Sequence, residues 1–301
     1  MSRLPRARNF LRRRWAALAG ACVLLAGSPM RAEVRVVGTD LLGVDVSRAL
    51  YNFSGRAELP VALAFDGSRP GFDRLKSGTA DLALLVLAPG EDKAVAGFES
   101  ITLAYHCVVV LGSVVVPLEQ VTFDQLRGIF GEGGAKNLNR WGDLGLGGDV
   151  AASAIVPHVP AVGQGIMAEF FRQTVLQERP FRSTVVRYAA PADLAFRLAG
   201  DRQALALAPA RPPNAPGLKI VPVAARTGEP AYSPTPENLR SGDYPLGLPL
   251  RIVFRRESAQ ALRPLLRFLF SDDFAALLEP AGVIPLAPAA RQQQLLAIEK
   301  L

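Results

Sequence analysis

A glycine-rich turn leads into an amphipathic helix at residues 161–176, AVGQGIMAEFFRQTVL. The first amides of a helix are unpaired and face whatever lies in front of it, so such a turn can hold an anion. The turn AVGQG contains no Ser, Thr or Lys, and it therefore supplies neither a hydroxyl donor nor a cation. From these residues alone two interpretations stay open: an anion-binding loop without side-chain donors, or an ordinary helix start.

Side chains that could transfer protons are sparse. The nearest approach to an acid–base group is Asp66, Asp73 and Asp81. We expect Asp73 on an exposed helix face and Asp81 at a strand start, so solvated charges are the better interpretation. No nucleophile elbow, Walker loop or zinc-protease motif is present. The histidines His106 and His158 belong to no Cys/His cluster, so the sequence predicts no metal site and no cofactor and gives no argument for an enzyme.

The first 32 residues have a composition of their own. Six arginines lie between residues 3 and 14, an apolar run covers Trp15–Gly27, and the small residue Ala32 ends the segment. A basic head followed by a short apolar stretch is typical of a secretory signal peptide. We therefore predict that residues 1–32 are a signal peptide, cleaved near Ala32, and that the protein is periplasmic. A membrane anchor and export by the twin-arginine route stay open as alternatives.

The excess positive charge of the chain belongs to that leader. The sequence has 34 Lys and Arg against 27 Asp and Glu, but seven of the basic residues lie within residues 1–32 and every acidic one lies after them. The remaining chain is about neutral, which removes the electrostatic argument for a nucleic-acid partner. Cys107 is the only cysteine after residue 32, so we expect a buried free thiol.

Apolar runs alternate with helical patterns along the chain, which predicts an α/β class with parallel strands. In the first part, turns at Gly38-Thr39-Asp40 and at Asp66–Pro70 separate strands from helices. The elements predicted there are the strand Val34–Val37, the helix Leu41–Phe53, the strand Val61–Phe65, the helix Gly71–Lys76 and the strand Asp81–Leu87.

The second part begins with a long buried strand, ITLAYHCVVVLG, at residues 101–112. A helix within residues 121–134 follows, capped by Thr122 or Asp124, and the Pro-rich residues 208–217 form a loop. The remaining predicted elements are the strand Thr184–Tyr188, the helix Pro191–Leu198, the strands Ala204–Ala208 and Leu250–Phe254, and a helical region from Ser258 to Leu278.

Four segments carry a family likeness. The most specific is VTFDQLRGIFGEGGAKNLNRWGDLG at residues 121–145, with its helix, Ile-Phe-Gly, Trp and Asp-Leu-Gly. The others are FDRLKSGTADLAL at 72–84, SGDYPLGLPLRIVF at 241–254 and LLRFLFSDDFAALLEPAGVIPL at 265–286. In this order they resemble the phosphate-type periplasmic solute-binding proteins of ABC transporters, over nearly the whole chain after residue 32.

The resemblance implies an α/β protein with the two-lobed, type 2 periplasmic-binding-protein fold, in which each lobe is a mixed sheet flanked by helices. Lobe 1 would comprise residues 33–109 and 247–301, and lobe 2 residues 110–246. The chain would cross twice between them, near Val110 and near Tyr244–Gly247, and form a hinge. The ligand would lie between the lobes, held by loops and helix N-termini of both.

The resemblance also implies a ligand-binding role for the turn that precedes the helix containing Phe170. The family's Ser-Gly-Thr loop falls on Gln164, Gly165 and Ile166, so the glycine is kept and both hydroxyls are lost. The family's arginine shortly before that loop has no counterpart here, and His158 is the nearest cationic candidate. The amide of Gln164 suits a neutral or weakly charged polar ligand.

Two loops of lobe 1 are implied to bind the ligand as well. Gly38, Thr39 and Asp40 correspond to Gly-Ser-Thr-like residues of the family, and Gly67 and Ser68 correspond to a Gly-Ser pair that opens a helix.

The carboxylate of family members that bind phosphate tightly falls on Leu85 or Val86. The resemblance therefore implies a solute-binding protein for a small polar or anionic ligand, and the lost hydroxyls, arginine and carboxylate imply that this ligand need not be phosphate. Its expected partners are that small ligand and an ABC permease or another membrane protein, and we expect a monomer. The alternative is a binding fold reused as a sensor or accessory subunit for a protein partner.

Overall fold

Two mixed sheets contain most of the strands in the computed structural model, which describes residues 33–87, 93, 95–133, 136–161, 165–189, 194, 198, 201–212 and 215–301. The predicted signal peptide and most of the predicted helix Pro191–Leu198 lie outside the described residues. The strands are β1 (Val34–Gly38), β2 (Val61–Ala64), β3 (Leu82–Val86), β4 (Glu99–Cys107), β5 (Val109–Ser113), β6 (Val121–Thr122), β7 (Val156–Pro160), β8 (Val186–Tyr188), β9 (Ala204–Ala208), β10 (Leu218–Val221), β11 (Val223–Ala224), β12 (Gly247–Phe254) and β13 (Val283–Pro285).

Helices cover the sheets. They are α1 (Gly43–Ala57), α2 (Ser68–Lys76), α3 (Phe123–Phe130), α4 (Gly165–Thr174), α5 (Pro236–Ser241), α6 (Ala259–Leu269), α7 (Asp272–Leu278) and α8 (Pro288–Ile298). None of the helices described is both long and apolar enough to span a membrane. The predicted α/β class is confirmed.

The first sheet has the strand order β13-β4-β12-β3-β1-β2. Strands β1, β2 and β3 are parallel, as predicted, while β12 runs antiparallel to β3 and to β4. Helix α2 packs tightly on the end of β1, where a Cβ on Gly71 would lie 2.8 Å from the Cα of Gly38. Two facing glycines therefore let the start of α2 approach the sheet edge.

The second sheet has the order β10-β5-β9-β7-β8. Strand β7 is parallel to both neighbours, β8 and β9. Strand β5 is antiparallel to β9, and β10 is antiparallel to β5. The sequence pattern does not predict β7, because Pro157 and Pro160 remove two amide donors from it and proline normally argues against an inner strand.

The chain passes from one sheet to the other at a single residue. The predicted strand at 101–112 is wrong in one respect: β4 ends at Cys107, β5 begins at Val109, and Val108 joins them. The amide of Val108 donates to the carbonyl oxygen of Leu246 at 2.9 Å, just before β12 returns to the first sheet at Gly247. One apolar core is continuous across both sheets and this junction.

Several predicted boundaries shift for local reasons. Helix α1 begins at Gly43, after a 3₁₀ turn at Asp40–Leu42, and α2 begins at Ser68 instead of Gly71. The predicted helical region from Ser258 to Leu278 is two helices, because the Ser271 hydroxyl accepts the Phe274 amide at 3.2 Å and starts α7 anew.

The cap of α3 is Thr122, one of the two predicted candidates. Its hydroxyl accepts the Gln125 amide at 3.2 Å, and the Gln125 side chain accepts the Thr122 amide at 2.9 Å, which completes a capping box. Asp124 instead pairs with Arg127 at 2.6 Å.

Candidate ligand-binding site

The carboxyl ends of β1 and β3 meet the N-terminus of α2 at one edge of the first sheet. The Gly67 amide donates to the carbonyl oxygen of Gly38 at 2.9 Å, and the Thr39 amide donates to that of Leu84 at 2.8 Å. A Cβ on Gly38 would lie 2.0 Å from the Leu84 carbonyl oxygen, so only glycine fits there. The structure therefore brings two of the predicted loops, 38–40 and 67–68, side by side.

Both hydroxyls at this edge already accept a backbone amide. Ser68 Oγ accepts the Val86 amide at 3.0 Å, and Thr39 Oγ1 accepts the Leu41 amide at 3.3 Å. A hydroxyl that accepts in this way still has its hydrogen to donate. Ser68 is half-buried and Thr39 is 2% exposed, so Ser68 is the more accessible of the two donors.

The first turn of α2 lies at this edge and has no side-chain cap. Its N-cap, Gly67, has φ 118° and makes no side-chain capping bond, and the turn holds no acidic residue. Pro70 is the third residue of the helix and has no N–H, so this N-terminus offers one amide fewer than usual. The helix predicted from the sequence begins at Gly71, after the proline, so the prediction did not include this loss. Asp40 is exposed in the neighbouring 3₁₀ turn, and Arg69 is exposed in the first turn of α2.

The position implied for a carboxylate is apolar. Leu85 is fully buried on the α2 side of the sheet, and Val86 is buried on the opposite side. The Val86 amide is bound to Ser68. Neither residue can accept a proton from a ligand.

The corresponding edge of the second sheet lies where α4 follows β7. Helix α4 begins at Gly165, and the Ala161 amide donates to the Tyr188 carbonyl oxygen at 2.8 Å. Gln164 lies outside the described residues, and Gly165 and Ile166 are described only as the first two backbone positions of α4. The predicted glycine thus opens a helix, while the side chains of this loop stay a prediction.

The first residues that the structure describes at that second edge carry no charge. The residues described directly after β7, β8 and β9 are Ala161, Ala189 and Pro209. His158, the cationic candidate, is 5% exposed and sits within β7, paired with Val186 and Ala206. It is therefore part of the sheet interior and not of the loop.

The three candidate acid–base carboxylates are all used in ion pairs. Asp66 binds Arg74 at 2.6 Å and Asp73 binds Lys76 at 2.7 Å, both on the surface. Asp81 accepts the backbone amide and the guanidinium of Arg35, which holds its pKa below the usual value. Asp81 is thus a structural residue, where we expected a solvated one.

Titratable groups beside the interlobe junction are neutral. Burial lowers the pKa of His106 to about 4 and raises the pKa of the Cys107 thiol to about 12. The expected buried thiol is confirmed. Within the described ranges, no group of three or more His, Cys, Asp or Glu could hold a metal ion.

Comparisons with known proteins agree with the fold. The model of the PBP superfamily domain matches residues 26–273. A possible phosphate binding protein from Planctomyces limnophilus DSM 3776 is 19% identical with a TM-score of 0.66, and the match covers 89% of this chain and 99% of that one. An ABC-type phosphate transport receptor from Vibrio cholerae is 18% identical with a TM-score of 0.62, covering 83% and 99%. PstS from Borrelia burgdorferi is 16% identical with a TM-score of 0.68, covering 85% and 99%.

No protein with a curated description matches the chain in sequence. At these identities the solved structures share the fold, which is the two-lobed periplasmic-binding-protein fold predicted from the four segments. They are binding proteins and not enzymes.

Proposed function

Because the chain belongs to the PBP superfamily, we propose that it is a periplasmic solute-binding protein that captures a small polar or anionic ligand between its two lobes. Lobe 1 comprises residues 33–109 and 247–301, and lobe 2 residues 110–246. The hinge is formed where Val108 leaves the first sheet and where Leu246 returns to it.

One observation carries this proposal: the edge of lobe 1 presents donors. Ser68 and Thr39 each accept a backbone amide and keep a hydroxyl hydrogen to donate, and the N-terminus of α2, which has no side-chain cap, lies beside them. Hydroxyl hydrogens and helix amides favour a ligand atom that accepts hydrogen bonds, such as an oxyanion or carboxylate oxygen.

The proposed ligand-binding residues on lobe 1 are Gly38, Thr39, Asp40, Gly67 and Ser68. The role of Gly38 is to position Thr39, because its tight contact with Leu84 holds the neighbouring Thr39 in place. On lobe 2 we assign Gln164, Gly165 and Ile166, whose loop precedes the N-terminus of α4.

Phosphate is held weakly in this arrangement. Each hydrogen bond to a charged group contributes about 1.5–3 kcal/mol, whereas an accessible helix N-terminus contributes about 0.3–1 kcal/mol. Leu85 and Val86 supply no carboxylate, Pro70 removes one amide, and the residues described directly after β7, β8 and β9 carry no charge. The losses outweigh the helix contribution, so a singly charged or neutral polar ligand fits better.

The partner follows from the same features. We propose an ABC permease, or another membrane protein, as the partner of the exported chain. The uncharged residues described directly after β7, β8 and β9 also favour a second candidate function, a sensor or accessory subunit that binds a protein partner. A neighbouring gene for a permease with its ATPase would support transport, and one for a sensor kinase or secretion component would support the second function.

A thermal-shift screen tests the proposal. The protein is heated with phosphate, sulfate, other oxyanions and small organic acids, and a ligand at about one hundred times its dissociation constant adds about 2.7 kcal/mol of stability. We expect at least one small polar or anionic compound to stabilise the protein. No stabilisation by any compound would count against solute binding.

Two serine variants show whether the ligand lies at the proposed edge. Ser68→Ala removes a hydroxyl that accepts the Val86 amide, and Ser54→Ala removes one that accepts the Val61 amide at 3.1 Å, at the opposite end of the strands. Both variants lose a similar structural bond. Only Ser68→Ala should weaken binding of the compound found, and equal weakening in both would contradict the site.

A further inference from the structure

A cavity of about 440 Å³ lies beside the N-terminus of α3 and shares no residue with the proposed ligand site. Its size falls within the range of about 300–1,000 Å³ that small-molecule sites have. Its polar lining includes Gln125, Lys136, Gln177, Arg179 and Thr227. A tetrahedral oxyanion would leave most of this space empty, so the volume fits an organic molecule.

The acidic residues of the cavity are already engaged. Asp124 pairs with Arg127 at 2.6 Å. Asp143 accepts the backbone amides of Asn139 and Arg140 with one oxygen, at 2.8 and 3.0 Å, and these bonds lower its pKa. Asp143 therefore stays ionised and keeps its other oxygen able to accept a hydrogen bond.

Two cations of the lining form no salt bridge within the described part of the chain, although the charge of Lys136 helps to lower the pKa of the nearby Asp143. Lys136 makes no ion pair there, and Arg179 donates to the Gly133 carbonyl oxygen at 3.2 Å without an acidic neighbour in contact. With Gln125, Gln177 and Thr227 beside them, these cations create a cavity rich in donors.

The backbone that supplies Gln177 is strained. Gln177 has φ 54° and Glu178 has φ 68°, both in the left-handed region that favours glycine. A non-glycine residue there costs about 1–3 kcal/mol and tends to occur at functional sites. Gln177 lines the cavity, while Glu178 does not.

We propose that this cavity binds a small organic carboxylate that also carries a hydroxyl group. Lys136 and Arg179 hold the carboxylate, Gln177 donates its amide to a ligand oxygen, and the unused oxygen of Asp143 accepts the ligand hydroxyl. The site is separate from the interlobe site and does not depend on it.

Calorimetric titration with citrate at low ionic strength tests the proposal on the full chain. We expect a saturable binding isotherm that Lys136→Glu and Arg179→Glu each weaken about tenfold or more, since each loses a charged contact. Lys300→Glu, an equal charge change at an exposed residue far along the chain, should leave the affinity unchanged. No binding up to about 10 mM citrate, or equal weakening by Lys300→Glu, would overturn the site.

A second pair of variants controls for folding. Gln177→Gly and Glu178→Gly both relieve a left-handed backbone, so both should keep or raise the melting temperature. Only Gln177→Gly removes a lining side chain, and we expect it alone to weaken citrate binding. Equal affinity in the two variants, or loss of binding with Ser68→Ala, would place citrate elsewhere and overturn the proposal.

Discussion

The Tyr244 hydroxyl donates a hydrogen bond to the carbonyl oxygen of Val108 across 2.6 Å, and both residues are buried. Val108 is the residue that joins β4 to β5, and its amide is bound by Leu246. Both polar groups of this junction are therefore tied to the second chain segment that passes between the sheets. The pair links the two crossings of the proposed hinge.

Tyr244→Phe removes this bond and leaves a buried carbonyl oxygen without its partner, which should cost about 1–3 kcal/mol of unfolding free energy. Tyr188→Phe is the matched control, because its hydroxyl donates to Leu207 at 2.7 Å inside the second sheet. Chemical denaturation should give similar losses for both. Small-angle scattering with a bound ligand should show altered closure in Tyr244→Phe alone, and identical closure in both variants would argue against a hinge role.

His106 makes stability depend on pH. Its Nε2 is buried and has no hydrogen-bond partner among the residues described, and burial lowers its pKa from 6.5 to about 4. As the pH falls, His106 is protonated in the unfolded chain before it is protonated in the folded chain. The stability that depends on a neutral His106 is therefore fully present above pH 6.5 and is lost as the pH falls toward 4. The loss reaches about 3 kcal/mol.

Urea denaturation between pH 7 and pH 4 measures this effect. His106→Gln should lose less stability across that interval than the parent protein. The Arg35–Asp81 pair interferes little in this interval. The ordinary pKa of an aspartate is 3.8, and Arg35 lowers the pKa of Asp81 in the folded chain below that value. The stability that the pair contributes is therefore present above pH 3.8 and is lost as the pH falls further. Parallel curves for the two proteins would show that His106 is not responsible.

Gly38 is indispensable to the lobe 1 edge. An alanine Cβ would lie 2.0 Å from the Leu84 carbonyl oxygen, and φ is 142°. We expect Gly38→Ala to cost about 3 kcal/mol or more, or to prevent folding. Gly55→Ala, in α1 with no atom within 4 Å of the new Cβ, should gain up to about 1 kcal/mol. Equal melting temperatures for the two variants would contradict the close contact.

Export is predicted from the leader alone. Mass spectrometry of the exported protein should find Glu33 as the first residue, because the basic head and apolar run precede it. A protein that keeps a lipid on Cys22 would contradict cleavage near Ala32.

The sequence was sufficient for elements whose pattern is local. Strands β1 to β3 are short buried runs between turns, and Thr122 caps α3 through Gln125, only three residues along the chain, so both were predictable. Trp141 belongs to the signature segment and proves to be a core residue: it is fully buried, and its indole donates to the Arg202 carbonyl oxygen at 3.1 Å.

Other features depend on distant parts of the chain. The apolar run at 101–112 continues unbroken through Val108, so its pattern cannot show that the strand changes sheets there. Strand β7 contains two prolines and exists because β8 and β9 flank it. The hydrogen bond from the Val86 amide to Ser68 Oγ joins residues 18 positions apart. Because the oxygen accepts this amide, the hydroxyl hydrogen is what remains for a ligand.

Calorimetric titration of the exported protein with inorganic phosphate tests the central claim most directly. The claim is that the fold of a phosphate-type binding protein is kept while the charged groups needed to hold phosphate tightly are lost. We predict a dissociation constant above about 1 μM, or no measurable heat, because several bonds worth about 1.5–3 kcal/mol each are missing. A dissociation constant below about 1 μM would contradict this account of the site.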